Sequence, residues 1–129
     1  MQTVIRLGDV PVLRTAPQGP PLDSEAAALD LIGEAYAHDV DTVAVPVERC
    51  PDAFFQLATG VAGAVAQKFV NYQCRLVVMG DISQHVSRST AFRDFVHETN
   101  RRGQMWFVDS EDELAERLAP RPADPGTAG

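Results

Sequence analysis

The stretch Phe54–Ser83, FFQLATGVAGAVAQKFVNYQCRLVVMGDIS, restricts the folds open to this chain more than any other. It reads as a helix rich in small residues, Gly60 to about Tyr72, feeding an apolar strand, Arg75–Met79, that Gly80-Asp81 breaks. Val61, Val65, Phe69 and Tyr72 recur at helical spacing and predict one apolar stripe, widened by Ala62 and Ala66. A strand with a near-continuous apolar run, rather than strict alternation, needs cover on both faces, which is the pattern of a parallel sheet between layers.

The alternation extends in both directions. Thr3–Leu7 and Val10–Arg14 are β-rich runs joined by Gly8-Asp9, a link suited to a tight hairpin because glycine takes positive φ without a Cβ clash. The loop 15–22, TAPQGPPL, holds too much proline for a helix or a central strand. Asp23-Ser24 offers a side-chain oxygen to a helix start, and Ala28, Leu29, Leu31, Ile32 and Ala35 follow at helical spacing until Asp39–Asp41 closes the helix. Thr42–Val47 reads as a second apolar strand, and Phe54-Phe55 as a core plug. Ser87 or Ser89 is placed to cap a helix with Phe92, Phe95, Val96 and Thr99 on one face, ended by a left-handed Gly103. Gln104–Val108 is the last strand, and Asp109 or Ser110 caps EDELAERLA. The order β-β-α-β-α-β-α-β-α predicts one α/β domain over 1–118, with an N-terminal hairpin and a mainly parallel sheet joined by right-handed crossovers. The Pro- and Gly-rich tail, 119–129, is expected to be disordered.

Composition narrows the function classes. Eighteen acidic and 11 basic side chains give a formal charge of -7, a field that repels phosphate backbones and disfavours nucleic acid as a partner. No apolar run is long enough to span a bilayer, and the N-terminal residues lack the basic and apolar regions of a secretory signal, so a cytoplasmic protein is expected. Cys50 and Cys74 match no metal or redox spacing and read as reduced thiols in or near the sheet. No nucleophile elbow, phosphate loop, dinucleotide fingerprint or zinc spacing is present, so no catalytic residue, cofactor or metal is assigned.

Two groups of residues remain as candidate sites. Thr59, Gly63, Gln67 and Asn71 advance by four residues and form one ridge on a helix, small at its start and amide-bearing at its end. With Lys68 this ridge predicts a docking face for a partner helix. Thr59-Gly60 begins the helix, where free amides favour an anion, including a phosphate carried on Thr59 itself; a plain helix cap is the simpler role. Glu48, Asp81 and Asp109 each follow a predicted parallel strand, with Ser83 and His85 near Asp81 in the chain. An acidic rim there could bind a cation or small molecule, or act as an acid–base pair, although Asp81 and Asp109 are equally placed to cap helices. His97, among Arg93, Asp94 and Glu98, reads as part of a solvated charged face. The Thr3–Leu7 edge strand suits a homodimer.

The order and lengths of these elements are similar to the STAS domain, the fold of the anti-sigma factor antagonists. Leu22-Asp23-Ser24 stands at the first helix start, and Leu57-Ala58-Thr59-Gly60-Val61 stands where the antagonists carry Asp-Ser-Ser-Gly-Leu. On that resemblance Thr59 falls on the phosphorylated serine, while Leu57 and Ala58 depart from the signature's Asp and first Ser. FFQLATGVAGAVAQKFVNY, LVVMGDIS and FRDFVHETN resemble, over nearly the whole chain, a bacterial family, the domain of unknown function numbered 4180. The second resemblance strengthens the fold and lends no activity. The STAS resemblance, with Thr59-Gly60 and the ridge, implies a STAS-like domain acting as a non-catalytic regulatory or interaction module, with a protein partner such as an anti-sigma-like regulator. A small-molecule or cation-binding protein, or an enzyme, using the acidic rim is the alternative.

Overall fold

The computed structural model describes residues 3–119, so the tail expected to be disordered lies, apart from Ala119, outside the described residues. Strands β1 (Thr3–Leu7) and β2 (Val10–Arg14) pair antiparallel, with Leu7 opposite Val10. Gly8 and Asp9 between them have φ values of 56° and 69°, the two left-handed residues that a tight hairpin matching the sheet twist requires. Helix α1 (Glu25–Ala37) follows, capped by Ser24, whose Oγ accepts the Ala27 N–H at 3.2 Å. Strand β3 (Thr42–Pro46) leads through the short helix α2 (Asp52–Phe55) to α3 (Val61–Asn71) and β4 (Arg75–Met79). Then come the short helix α4 (Ser83–Arg88), α5 (Thr90–Arg101), β5 (Met105–Val108) and α6 (Glu111–Leu118). Ser89 caps α5 and Ser110 caps α6, each through its hydroxyl. Helix α2 starts at Pro51-Asp52, a pair suited to a helix start, whereas α4 occupies a segment with no helical apolar period.

The five strands lie in the order β1-β2-β3-β4-β5, with every pair after the hairpin parallel. Side chains alternate along each strand. Leu13, Val43, Val45, Leu76, Val78, Met105 and Phe107 point to one face, where they pack with residues of α1, α2, α3 and α5. Val12, Ala44, Val77, Trp106 and Val108 point to the other, which α6 covers with Leu114 and Leu118. This one-sided winding follows from the strand order, because each crossover returns to the strand beside its predecessor. Helix α6 runs back across the sheet from β5 until its end meets the β1–β2 turn, where Gly8 lies against the backbone of Leu118 and Ala119. Trp106 anchors it: the guanidinium groups of Arg75 and Arg117 stack on the indole at 4.2 and 4.0 Å, and its Nε1 donates to the Arg102 carbonyl at 2.7 Å.

Three local expectations are corrected. Tyr72 leaves the apolar stripe of α3 and is 44% exposed, its backbone carbonyl accepting the Tyr36 hydroxyl at 2.7 Å. The helix ends at Asn71, and the stripe that is buried is Ala62, Val65 and Phe69. Leu29 is also exposed, since α1 buries only Ala28, Leu31, Ile32 and Ala35. Gly103 does not take a left-handed cap; α5 ends instead on an extended Arg102, with φ -96° and ψ 176°.

The proline-rich loop is fastened by one buried charge. Arg49 is only 7% exposed, and it donates from Nε to the Pro20 carbonyl at 3.0 Å and from Nη1 to the Ala16 carbonyl at 3.1 Å. Backbone carbonyls that face inward thus gain donors that proline cannot supply.

Both cysteines are free and buried. Burial, the largest influence on each, pushes the Cys50 thiol up to about 12 and the Cys74 thiol up to about 11. The neutral thiol is therefore the folded form, and its contribution to stability is complete below the ordinary thiol pKa of 9.0 and lost as pH rises beyond it. A thiol-alkylating reagent at about pH 8 should leave both unmodified until denaturant unfolds the chain. Fast labelling of the native protein would contradict this.

Candidate functional site

Thr59 ends a 3-10 turn, Leu57–Thr59, and Gly60, at φ 80°, occupies the cap position of α3. The Thr59 hydroxyl shares its proton between the Ala53 carbonyl at 2.6 Å and the Gln56 carbonyl at 2.8 Å, and it accepts the Val61 N–H at 3.3 Å. An exposed residue thereby ties α2 to the start of α3. Gly60 rather than Thr59 turns the chain into the helix.

From this start the ridge Gly63, Gln67, Asn71 runs along the solvent side of α3, with Gln67 Nε2 donating to Asn71 Oδ1 at 2.8 Å. Gly63 and Gln67, with Ala66 and Val70, form one wall of a groove of about 340 Å³. Phe95, Glu98 and Thr99 of α5, with Arg102, Gln104 and Met105 beyond its end, form the rest. Glu98 and Arg102 pair at 3.0 Å, so the apolar floor carries a charged rim whose charges largely cancel. Lys68 is not part of this surface. It turns toward α1 and pairs with Glu25 at 3.5 Å.

Among the described residues, nothing packs against Gly63 that would require a glycine. A Cβ built there would meet nothing within 4 Å among those residues, and its φ lies outside the left-handed region. Inside a helix, glycine is less favourable than alanine by about 1 kcal/mol. Gly63→Ala is expected to raise stability by about 0.5–1 kcal/mol in a denaturant titration. An unchanged or lowered midpoint would mean that the position is more constrained than its surroundings indicate.

The residues of the expected acidic rim lie at the surface: Glu48, Asp81 and Asp109 are all exposed. Asp81 Oδ1 accepts the Ser83 N–H at 2.9 Å, a bond that starts α4 and holds the carboxyl below its usual range. The Asp109 N–H donates to Glu113 Oε1 at 2.7 Å, just ahead of α6. Among the described residues, no three His, Cys, Asp or Glu side chains stand close enough to hold a metal ion. Of the three rim carboxylates, Asp81 serves the start of the helix that follows it. His97 is exposed on the charged face of α5, as its spacing indicated.

The carboxyl-end rim does hold a cleft, built from other residues. Between the loop that follows β3 and the loop that follows β4 lies a space of about 450 Å³, lined by Asp52, Phe55, Gln56, Leu57, Ala58, His85, Arg88, Ser89 and Ala91. The His85 ring lies flat on Phe55, with centroids 3.8 Å apart and planes 7° from parallel. The i, i+3 spacing of His85 and Arg88 was readable in the chain. Their convergence on Phe55 was not, because it depends on how the short helices α2 and α4 meet.

Residues 7–118 match the family described as Domain of unknown function (DUF4180). The chain belongs to that family. The match runs from the end of β1 to the end of α6, so the α3–α5 groove and the strand-end cleft both lie inside the DUF4180 region. No curated protein and no solved structure matches the chain.

Proposed function

We propose that this protein is a non-catalytic regulatory interaction module, STAS-like in architecture, that receives a protein partner in the α3–α5 groove. The observation that carries this reading is Gly63: an exposed glycine in the first turn of α3 beside an apolar floor, in a position where the described residues leave room for a larger side chain. Such a residue lets another backbone approach closely, and the adjacent Gln67 and Asn71 amides supply directional hydrogen bonds. The partner this suits presents a small apolar anchor, held over Phe95 and Met105, on a helix of its own. An anti-sigma-like regulator is one class of such partner. Thr59 and Gly60 stand at the head of the same ridge, which would place any modification of Thr59 at the rim of the interface. The hairpin followed by alternating parallel strands and helices supports the STAS-like reading. Three separate carboxylates do not favour the alternative acidic-rim site.

The test is affinity capture from cell lysate with wild type, Gly63→Arg and Gln67→Ala as baits. The open space at position 63 allows the arginine without unfolding, which an unshifted thermal midpoint verifies. A protein held by wild type and lost from Gly63→Arg is the expected outcome; identical captures from both baits would refute the reading. The outer edge of β1 is unpaired in the described sheet, so we extend the proposal to self-association through that edge. Sedimentation that stays monomeric as concentration rises would remove that extension.

A further inference from the structure

We propose that the cleft between α2 and α4–α5 binds a small amphipathic organic anion, a carboxylate or phosphate monoester on an apolar, preferably aromatic, body. The argument begins with position. The loops that follow β3 and β4 meet outside the carboxyl ends of two neighbouring parallel strands, the part of an α/β sheet where ligand sites usually lie. At about 450 Å³ the space has the volume of a small-molecule pocket.

Its chemistry is divided. Phe55, Leu57, Ala58 and Ala91 give an apolar lining, while His85 and Arg88 give the polar groups. Neither of these two has a hydrogen bond or an ion pair within the described residues, whereas Arg14, Arg93 and Arg102 pair with carboxylates. The exposed Arg101 is likewise unpaired there but does not line the cleft. Arg88 therefore keeps its full set of donors for a planar bidentate acceptor. His85 is held in place by its stack on Phe55, which leaves the edge of the ring to donate. Asp52, the other charged group of the cleft, makes no pair with Arg88. It can accept a hydroxyl or an ammonium from the far end of the ligand.

This site shares no residue with the α3–α5 groove, so the two readings stand or fall separately. The test is amide chemical-shift mapping by NMR on the full chain, titrated with four probes: phenyl phosphate, benzoate, inorganic phosphate and benzylamine. Phenyl phosphate or benzoate should shift the amides of Ala58, Ser89 and Ala91 at millimolar concentration, and which of the two binds more tightly identifies the head group. Inorganic phosphate should bind more weakly, for want of an apolar body, and benzylamine should not displace either anion. Arg88→Ser, an exposed substitution that leaves the fold intact, should weaken binding by about tenfold. His85→Phe, which keeps the stack and removes the donor, should weaken it as well. The proposal is overturned if no anion shifts these amides, or if Arg88→Ser leaves the affinity unchanged.

Discussion

Gly8→Ala should destabilise the protein by about 3 kcal/mol, from a left-handed penalty of about 1–2 kcal/mol and an overpacking cost of about 1–3 kcal/mol. Gly8 sits at φ 56°, and a Cβ there would stand 2.6 Å from the Ala119 nitrogen, 2.7 Å from its Cα and 2.8 Å from the Leu118 carbonyl carbon. All three are backbone atoms, so no rotamer change relieves the clash. Either the hairpin or the end of α6 must move, and both help to cover the same sheet face. For a chain of this size the thermal midpoint should fall by roughly 10 °C. The neighbouring Asp9→Gly is the control: it removes a non-glycine residue from φ 69° and should leave stability unchanged or slightly raised. Equal effects at the two positions would show that the turn, rather than the contact with α6, sets the cost.

Phe92→Ala should cost about 3–5 kcal/mol, the range for deleting a buried aromatic ring. Phe92 has no exposed surface, and it stands at the centre of the aromatic cluster, with the rings of Phe55, Phe107 and Phe95 at 5.5, 5.6 and 6.3 Å. Two of these contacts are edge-to-face, a geometry that adds to simple area burial. The loss should appear as a lower denaturant midpoint with an unchanged slope, the sign that the unfolded state is not altered. Phe92→Leu, which refills most of the volume, should recover much of the difference. A loss below about 1 kcal/mol for the alanine variant would mean that the core collapses around the gap.

The sheet was readable from the chain because its strands are apolar runs bounded by turn residues, and because Ser24, Ser89 and Ser110 announce the helices they cap. Gly8-Asp9 named its own turn. The failures have physical causes. Tyr72 continues the helical spacing of the stripe, but α3 ends one residue before it, at the edge of the layer. Gly103 resembled a helix terminator, yet Arg102 ends the helix in an extended conformation. The row Thr59, Gly63, Gln67, Asn71 was legible as a ridge, since spacing alone fixes it. That it faces α5 across a groove, while Lys68 turns to Glu25, depends on how the helices sit on the sheet. Proximity in the strand-end loops misled in the other direction. Glu48, Asp81 and Asp109 follow neighbouring strands but form no three-residue metal cluster among the described residues, whereas Phe55 and His85, thirty residues apart, lie stacked. Short helices without an apolar period carry no spacing signal, and α2 and α4 are what bring that pair together.

The most direct test of the groove as a recognition surface is site-specific photo-crosslinking inside cells. A photoreactive side chain would be placed at Gly63, at Gln67 and, as a control on the opposite layer, at Glu116 of α6. The account predicts a discrete crosslinked product from positions 63 and 67 and none from 116. Products from 116 alone, or equally from all three positions, would contradict it.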